Sequence, residues 1–270
     1  MLGVIGSLTV PPFSRLDFRV GLGSLYFKPT LSTTTAMIRP GLPSDVDAIA
    51  NVIIKTMPLD PQWDYRFPKR SQFPEDHYKY TRMLFEYFLD PSYDDWTVMV
   101  VEDVDPAGGE KLKIASISVW DVSYLNKRKH GPDYIPQDPN REVDKRGGST
   151  RRDANQEHFN AFSNGQAKAY KKYFGSIGPE QLHLQILATL PDFQRRGHAT
   201  TLCRWGMDVI CRESLKDISV MASPMGYHLY ARLGFDHVAT VIIQVPGEEE
   251  KLTLQAMKYD SVMDGILANL

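Results

Sequence analysis

Residues 184–199 read LQILATLPDFQRRGHA, a largely apolar run that meets a proline-containing turn and then a glycine. The pattern predicts a buried strand, a tight turn and a helix that opens at Gly197. The first N–H groups of a helix have no partner within it and carry a partial positive charge, so they favour an anion. Glycine allows the sharp turn and a close ligand approach, and Arg195 and Arg196 add charge. The sequence therefore predicts an anion site here, with a plain surface turn as the alternative.

The motif around this turn carries a resemblance to a known family. The turn is neither a Walker loop nor a dinucleotide fingerprint, because the required glycines are missing. QRRGHA at 194–199 matches the Q/R-x-x-G-x-G/A signature of GNAT N-acetyltransferases, and LATLP at 187–191 resembles that family's central strand with its proline. ASP at 222–224 with LYARLGF at 229–235 is similar to its second conserved block.

Strands alternate with helices from Met37 onward, and two strands close the chain. Strands are predicted at 36–39, 96–104, 111–122, 181–189, 217–222, 237–245 and 251–259, and helices at 44–54, 75–89, 197–213 and 225–233. This order predicts an α/β fold with a mixed, predominantly antiparallel sheet and helices on both faces. The resemblance implies the GNAT acyl-CoA N-acyltransferase fold.

The predicted domain spans 37–260 and is interrupted by an insertion at about 125–179 that has no family counterpart. The first half of the insertion is loop-like and charged, which favours a solvated surface, whereas about 153–174 predicts a helix. The whole insertion is a candidate cover for a cleft. A proline-rich loop at 57–74 holds Trp63, Tyr65 and Phe67, which either line an acceptor pocket or pin the loop.

The resemblance also implies where acetyl-CoA binds. The N–H groups of the turn would hold the pyrophosphate, the central strand would bond the pantetheine arm, and the start of the second block would complete the site. These residues are Gln194, Arg195, Arg196, Gly197, His198 and Ala199 in the turn, Leu187, Ala188 and Thr189 in the strand, and Ser223. For His198 we expect the backbone to matter and the ring not to. Such a groove requires the strands at 181–189 and 217–222 to splay apart at their C-terminal ends.

Two side chains are predicted to handle protons. Tyr230 occupies the position of the family's tyrosine acid, and a phenol with a pKa of about 10 can protonate a leaving thiolate. His183 stands where histone-acetylating relatives carry a glutamate base, so it is either the base or a structural histidine. Gln185 is expected on the same face, where it could orient a water. Further base candidates are Asp121, Glu180 and Asp133.

Bulk properties exclude several classes. The chain has 270 residues and 42% hydrophobic content, which suffices for a real core. Acids are interspersed in the basic run at 127–152 and the net charge is −2, so no nucleic-acid partner is expected. No apolar run reaches the roughly 18 residues of a membrane span, and no Cys/His spacing suggests a metal site.

The two cysteines are predicted to be free thiols. Cys203 and Cys211 fall on one predicted helix, about 12 Å apart at roughly 1.5 Å per residue, whereas a disulfide needs less than about 7 Å between Cα atoms. Free thiols suit a reducing compartment, which favours a cytoplasmic location.

The first 36 residues form a predicted extension, either disordered or targeting. The composition of this segment loosely resembles an organelle transit peptide. It has many Ser and Thr and one acid against three basic residues, Arg15, Arg19 and Lys28. A floppy extension or a start codon upstream of Met37 is the preferred interpretation. Residues 261–270 are predicted to be a C-terminal tail.

The function that follows from the resemblance is transfer of an acetyl group from acetyl-CoA to a primary amine. A small-molecule acceptor is preferred, because the insertion suggests a covered site whereas peptides need an open groove. The alternatives are acetylation of a protein lysine or N-terminus, and a non-catalytic acyl-CoA sensor. The protein is expected to be a monomer or homodimer without metal.

Overall fold

A computed structural model describes residues 36–105, 111–131 and 133–260. The predictions for residues 1–35 of the N-terminal extension and for the C-terminal tail lie outside these residues. The strands are β1 (Met37–Pro40), β2 (Trp96–Val104), β3 (Leu112–Asp121), β4 (Gln181–Thr189), β5 (Asp217–Ala222), β6 (Asp236–Gln244) and β7 (Lys251–Asp260). The helices are α1 (Val46–Thr56), α2 (Pro61–Arg66), α3 (Pro74–Leu89), α4 (Tyr124–His130), α5 (Pro139–Lys145), α6 (Gln156–Tyr173), α7 (His198–Glu213) and α8 (Pro224–Arg232).

The strands form one sheet in the order β1-β2-β3-β4-β5-β7-β6. Of the six neighbouring pairs, β4 with β5 is parallel and the other five are antiparallel. Only the parallel pair needs a long crossover, which α7 supplies between β4 and β5. The predicted fold class is confirmed.

Helices cover both faces of the sheet. In β2, Val98 and Val100 pack into the cluster that contains α1 and α3, whereas Met99 and Val101 pack into the cluster that contains α7 and α8. All four are buried, as expected for a central strand whose side chains alternate between two covered faces. A third cluster joins α6 to β6 and β7.

The loop predicted at 57–74 contains a helix. Asp60 accepts a hydrogen bond from the amide of Gln62 at 3.1 Å and Pro61 occupies the first helical position, so α2 begins with the usual N-terminal chemistry. The prediction of an irregular loop was wrong, because the prolines start this helix rather than exclude it.

Two further observations concern the described residues only. None of their helices is both long enough and apolar enough to cross a membrane. Both cysteines are free and lie on α7, with Cys203 buried and Cys211 exposed, and burial raises the pKa of the Cys203 thiol to about 12.

Candidate active site

The central strands β4 and β5 separate part-way along their length. Their pairing runs from Gln181 opposite Asp217 to Leu184 opposite Val220 and ends there. β4 nevertheless continues to Thr189, paired with β3, and β5 continues to Ala222, paired with β7. The predicted splay is confirmed, and it exposes backbone on the facing edges of both strands.

A β-bulge sits at the point of separation. The β3–β4 register pairs Val119 with Ile186 and Trp120 with Leu184, so Gln185 is an extra residue on β4. A bulge reverses which face the following side chains occupy. Accordingly Leu184 packs on the α7 side, whereas beyond the bulge it is Leu187 that does so. Gln185 itself is exposed and borders the cleft.

The gap between the strands opens into a cavity of about 820 Å³. One group of lining residues comes from β4, the turn that follows it, the start of α7, β5 and α8. A second group comes from α1, the segment that contains α2, α3, α5, the loop after α5, and α6. This volume lies within the range of small-molecule sites. The first group contains most of the residues predicted to bind acetyl-CoA, and the second remains for an acceptor.

The turn after β4 presents free amides. Within the described part of the chain, the amides of residues 195–200 donate to no protein acceptor, and the first hydrogen bond of α7 runs from Thr201 to the Gly197 carbonyl at 2.9 Å. Gly197 has φ 88° and Arg195 has φ 65°, both in the left-handed region. A non-glycine residue such as Arg195 is strained in this region, and proteins keep such strain mostly at functional sites. The predicted anion site therefore has unoccupied donors.

The side chains of the turn serve different purposes. Nε2 of His198 lies 3.0 Å from Oδ2 of Asp103, and Nη1 of Arg196 lies 3.2 Å from the same atom. Burial raises the pKa of Asp103, but hydrogen bonds from the Val104 amide, Arg196 and His198 outweigh it and lower that pKa overall. The expectation that the His198 ring is unimportant was therefore wrong, because the buried ring fastens the turn to β2. The guanidinium of Arg196 donates a hydrogen bond to the same Asp103 carboxylate.

Tyr230 lies on α8 and borders the cavity. The helix starts at Pro224, and Oγ of Ser223 accepts from the Gly226 amide at 3.4 Å. Burial raises the pKa of Tyr230 well above 10, and the negative charge of Asp60 adds to this. The phenol is therefore protonated at neutral pH and can donate a proton into the cleft.

Gly226 leaves room for the Tyr230 ring. A Cβ on Gly226 would lie 2.8 Å from Cε2 and 3.6 Å from Cζ of that ring. We expect Gly226→Ala to displace the phenol and lower kcat about 10- to 100-fold, as for other small misplacements of a catalytic group. For acetyl-CoA, the donor that the family resemblance implies, the KM should change much less.

A matched control is Gly175→Ala, whose Cβ would meet its nearest atom, Cγ of Lys171, at 4.0 Å. Gly226→Ala is expected to act by displacing the Tyr230 ring and its hydroxyl. In a chain that already carries Tyr230→Phe, it should therefore lower kcat by little more. A loss of equal size in the two backgrounds would contradict the positioning role.

His183 does not border the cavity. It is buried on the α6 side, edge-on to Tyr170 with ring centroids 5.0 Å apart, and its Nδ1 lies 2.8 Å from Oγ of Ser219. Burial lowers its pKa to about 4. His183 therefore fits the structural histidine that the sequence left open rather than the base. The shared face predicted for His183 and Gln185 was wrong, because the bulge at Gln185 breaks the alternation between them and the rest of the strand.

The other base candidates from the sequence also lie away from the cleft. Asp121 accepts from the Ser123 amide at 2.8 Å, and Glu180 pairs with Arg128 on the surface. Asp133 is exposed, and none of the three carboxylates borders the cavity.

Sequence reasoning missed Asp60. This carboxyl group is buried, borders the cavity, and lies close enough to the Tyr230 phenol and the Arg66 guanidinium to influence the pKa values of both. The Asp60-Pro61 pair is a helix-start signal that could have drawn attention to it. That Asp60 lines the same cavity as Tyr230 is a property of the tertiary structure alone.

Both halves of the insertion contribute residues to the lining of the cavity. Residues of α5 and α6 line the cavity, and so do Gly148 and Arg151 between them. The solvated surface expected for the charged half was therefore wrong for these residues. Arg151 is buried because it forms two hydrogen bonds with the Asp153 carboxylate, at 2.7 and 2.6 Å.

The same carboxylate fixes the aromatic wall of the cavity. Oδ2 of Asp153 lies 2.6 Å from Nδ1 of His77, whose Nε2 accepts from the Trp63 indole at 3.0 Å. Trp63 therefore both lines the cavity and pins its segment, and Phe67 also lines the cavity. Tyr65 does not, because it stacks on His158 with ring centroids 4.1 Å apart.

Comparisons with known proteins agree with this geometry. No family profile matches the chain. A curated protein from Stachybotrys chartarum, named "Acetyltransferase", is 26% identical over 219 residues, which cover 80% of this chain and 86% of the relative. The chain is similar to an acetyltransferase. This relative supports the resemblance to GNAT N-acetyltransferases on which the sequence prediction was based.

Several solved structures align with most of the chain. One, described as histone acetyltransferase HPA2 and related acetyltransferase from Corynebacterium glutamicum, has 17% identity, a TM-score of 0.47, and coverage of 83% of this chain and 96% of that one. The ribosomal-protein-S18-alanine N-acetyltransferase from Escherichia coli has 12% identity, a TM-score of 0.43, and coverage of 84% and 94%.

Proposed function

We propose that the protein is a GNAT-type N-acetyltransferase that uses acetyl-CoA. The observation that carries the proposal is the free row of amides at residues 195–200, which meets a gap between β4 and β5 that opens into the same cavity as Tyr230. A diphosphate needs such donors, and an extended pantetheine arm needs an unpaired strand edge. Acetyl-CoA would supply the acetyl group as an activated thioester.

The chain's own groups suit this ligand. The amides of the turn would bind the diphosphate, with the exposed Arg195 adding charge, and the backbone of Leu187 to Thr189 would bond the arm. Backbone N–H groups aimed at a developing oxyanion typically contribute a few kcal/mol of transition-state stabilisation. Ser223 acts indirectly, because it caps the helix that presents Tyr230.

The proposed reaction needs one proton acceptor and one proton donor. The acceptor amine attacks the thioester carbon, so that an N–C bond forms and the C–S bond breaks. We assign the amine proton to Asp60, directly or through a water, and the proton on the departing sulfur to Tyr230. The carboxylate of Asp60 and the phenol of Tyr230 line one cavity and together supply the proton acceptor and the proton donor. Asp60 thereby takes the role of base that was considered for His183.

Asp60→Asn tests the proton acceptor. The amide can still accept from Gln62, so α2 should persist, but it takes up no proton. We expect kcat/KM at pH 7 to fall about 10²- to 10⁴-fold. The deficit should shrink as the pH rises towards the amine's own pKa of about 10, because the amine then loses its proton to solvent.

Asp64→Asn, on the same helix and paired with Arg70 at the surface, serves as the control. A deficit that stays constant between pH 7 and pH 10 would assign Asp60 a structural role instead.

The acceptor is proposed to be a small molecule. Residues of α5 and α6 in the insertion line the acceptor part of the cavity, and walls of this kind suit a small molecule better than an extended peptide. Acetylation of a peptide or protein is the second candidate, and an acyl-CoA sensor is the third.

A thiol-release assay with acetyl-CoA separates these candidates. The acceptors would be amines, amino acids, polyamines and peptides, with acetyl-CoA binding measured by calorimetry in parallel. Turnover with small amines supports the proposal, and turnover confined to peptides would move it to protein acetylation. Binding without release from any acceptor would leave the sensor, and absence of binding would overturn the whole assignment.

A further inference from the structure

The acceptor part of the cavity contains a guanidinium that has no carboxylate partner. Arg66, at the end of α2, borders the cavity, and its Nε donates to the Gln62 carbonyl at 3.2 Å. Among the described residues it forms no ion pair within 4.0 Å, and its Nη atoms donate to no protein acceptor. Its faces lie against the rings of Trp63 at 5.0 Å, Phe67 at 5.1 Å and Phe162 at 4.1 Å.

A second guanidinium stands beside it but is already neutralised. Arg151 stacks on Phe67 at 4.4 Å and is paired with Asp153. Burial, followed by the charge of Arg151, lowers the pKa of Arg66 to about 9, so Arg66 is still charged at neutral pH. Even a half-buried charge without a partner loses part of its hydration, and an anion that enters from the cavity would offset that cost.

The surroundings of Arg66 decide which ligand group fits. The rings next to Arg66 are already covered by cations, because Arg66 lies on Trp63, Phe67 and Phe162, and Arg151 also lies on Phe67. Arg66 retains the Nη edge of its fork, which suits the two oxygens of a carboxylate. Thr56 also borders the cavity, and its buried Oγ1 has no hydrogen-bond partner in the described chain.

We propose that the acceptor is an amino carboxylate, whose carboxylate binds the fork of Arg66 while its amine lies towards Asp60 and Tyr230. The inference rests on the proposed acetyltransferase function and names its substrate class. The ligand's two charges would then match two protein charges, with Arg66 at one end and Asp60 at the other.

Asp144 is the other acid in this part of the cavity, and it does not argue against a carboxylate ligand at Arg66. Burial and the nearby charge of Asp138 raise the pKa of Asp144, and the charge that acts on it favourably is that of Arg151. A single unpaired guanidinium matches the single charge of a carboxylate better than the double charge of a phosphate monoester.

The test compares matched acceptors in the thiol-release assay. Each α-, β- or γ-amino acid would be assayed against the amine that lacks only its carboxyl group, with the wild-type chain and with Arg66→Met. For the best acceptor, the carboxylate should raise wild-type kcat/KM at least about 100-fold, because an unpaired buried site rejects the analogue. Arg66→Met should remove that preference, and the decarboxylated amine should be acetylated as well as before or better.

Two controls keep the inference falsifiable. Arg70→Met removes a nearby arginine that pairs with Asp64 outside the cavity, and it should leave the preference unchanged. If Arg66→Met fails to fold, Arg66→Lys keeps the charge without the fork and should lose about 10-fold of the preference.

The outcomes separate this inference from the proposed function. Amine acetylation without any carboxylate preference, or a preference for phosphorylated amines, would overturn the amino-carboxylate inference alone. Failure to bind acetyl-CoA, or absence of thiol release from every acceptor, would overturn the acetyltransferase proposal itself. Calorimetric binding of the N-acetylated product, lost in Arg66→Met, would support the inference without depending on turnover.

Discussion

Tyr230→Phe is expected to lower kcat about 10²- to 10⁴-fold, the usual contribution of a positioned general acid. The substitution removes one hydroxyl and leaves the ring that packs against Phe235, with centroids 5.5 Å apart. Acetyl-CoA affinity should be nearly unchanged, because the hydroxyl is needed only once the sulfur starts to leave. Single-turnover kinetics and calorimetry measure the two quantities.

The control for this prediction lies one helical turn away. Tyr227→Phe removes a hydroxyl from the same helix, but Tyr227 does not border the cavity and its ring contacts His228 edge-on. It should retain wild-type kcat. Equal effects of the two substitutions would show that a hydroxyl on α8 matters for stability rather than for proton transfer.

The pH profile gives Tyr230 a second test. Its pKa is raised above 10 by burial, and the donor form is the protonated one, so the acid remains available until the pH exceeds that raised pKa. We therefore expect no alkaline decline of kcat from this group below about pH 10. A decline centred near pH 8 that disappears in Tyr230→Phe would be incompatible with the buried phenol.

Asp153→Ala is expected to lower the free energy of unfolding by about 3–5 kcal/mol, as for other buried ion pairs that lose one partner. Asp153 is fully buried and binds both His77 and Arg151, so its removal leaves a buried guanidinium without its counter-charge. Chemical denaturation measures the loss. Activity should fall as well, because Arg151 and Trp63 line the cavity and this carboxylate holds both in place.

Asp76→Ala is the matched control, because it breaks the exposed pair between Asp76 and Arg152, next to Arg151 in the sequence. Exposed ion pairs contribute little to stability, so Asp76→Ala should change the free energy of unfolding only slightly. An equally small change in Asp153→Ala would refute the role assigned to Asp153. Burial raises the pKa of Asp153, but His77 and Arg151 outweigh it and lower that pKa overall. The stabilisation is therefore present above the unfolded-state pKa of about 3.8 and is lost as the pH falls through the lower folded-state pKa.

The elements of the fold were largely predictable because they follow local rules. Hydrophobic alternation located β2, β4 and β5 at their observed bounds, and the turn before Gly197 carried its own backbone signal. α2 was missed because proline was read as a breaker, although at the first position of a helix it is favoured. The bulge at Gln185 was missed because β4 carries apolar side chains on both faces around it, so a change of face leaves the hydrophobic pattern unaltered. The shared face expected for His183 and Gln185 failed for this reason.

By itself the sequence determined the strand-turn-helix unit and the order of strands and helices along the chain. It also determined the position of Tyr230 within the second motif. Each of these depends on residues that are neighbours along the chain, where spacing and turn chemistry suffice. Only the tertiary structure decided that Asp60 and Tyr230 line one cavity, that the charged insertion lines it too and that Arg66 has no carboxylate partner among the described residues. Those facts depend on which distant side chains meet in a buried space, where the cost of an unpaired charge selects partners that no local pattern encodes.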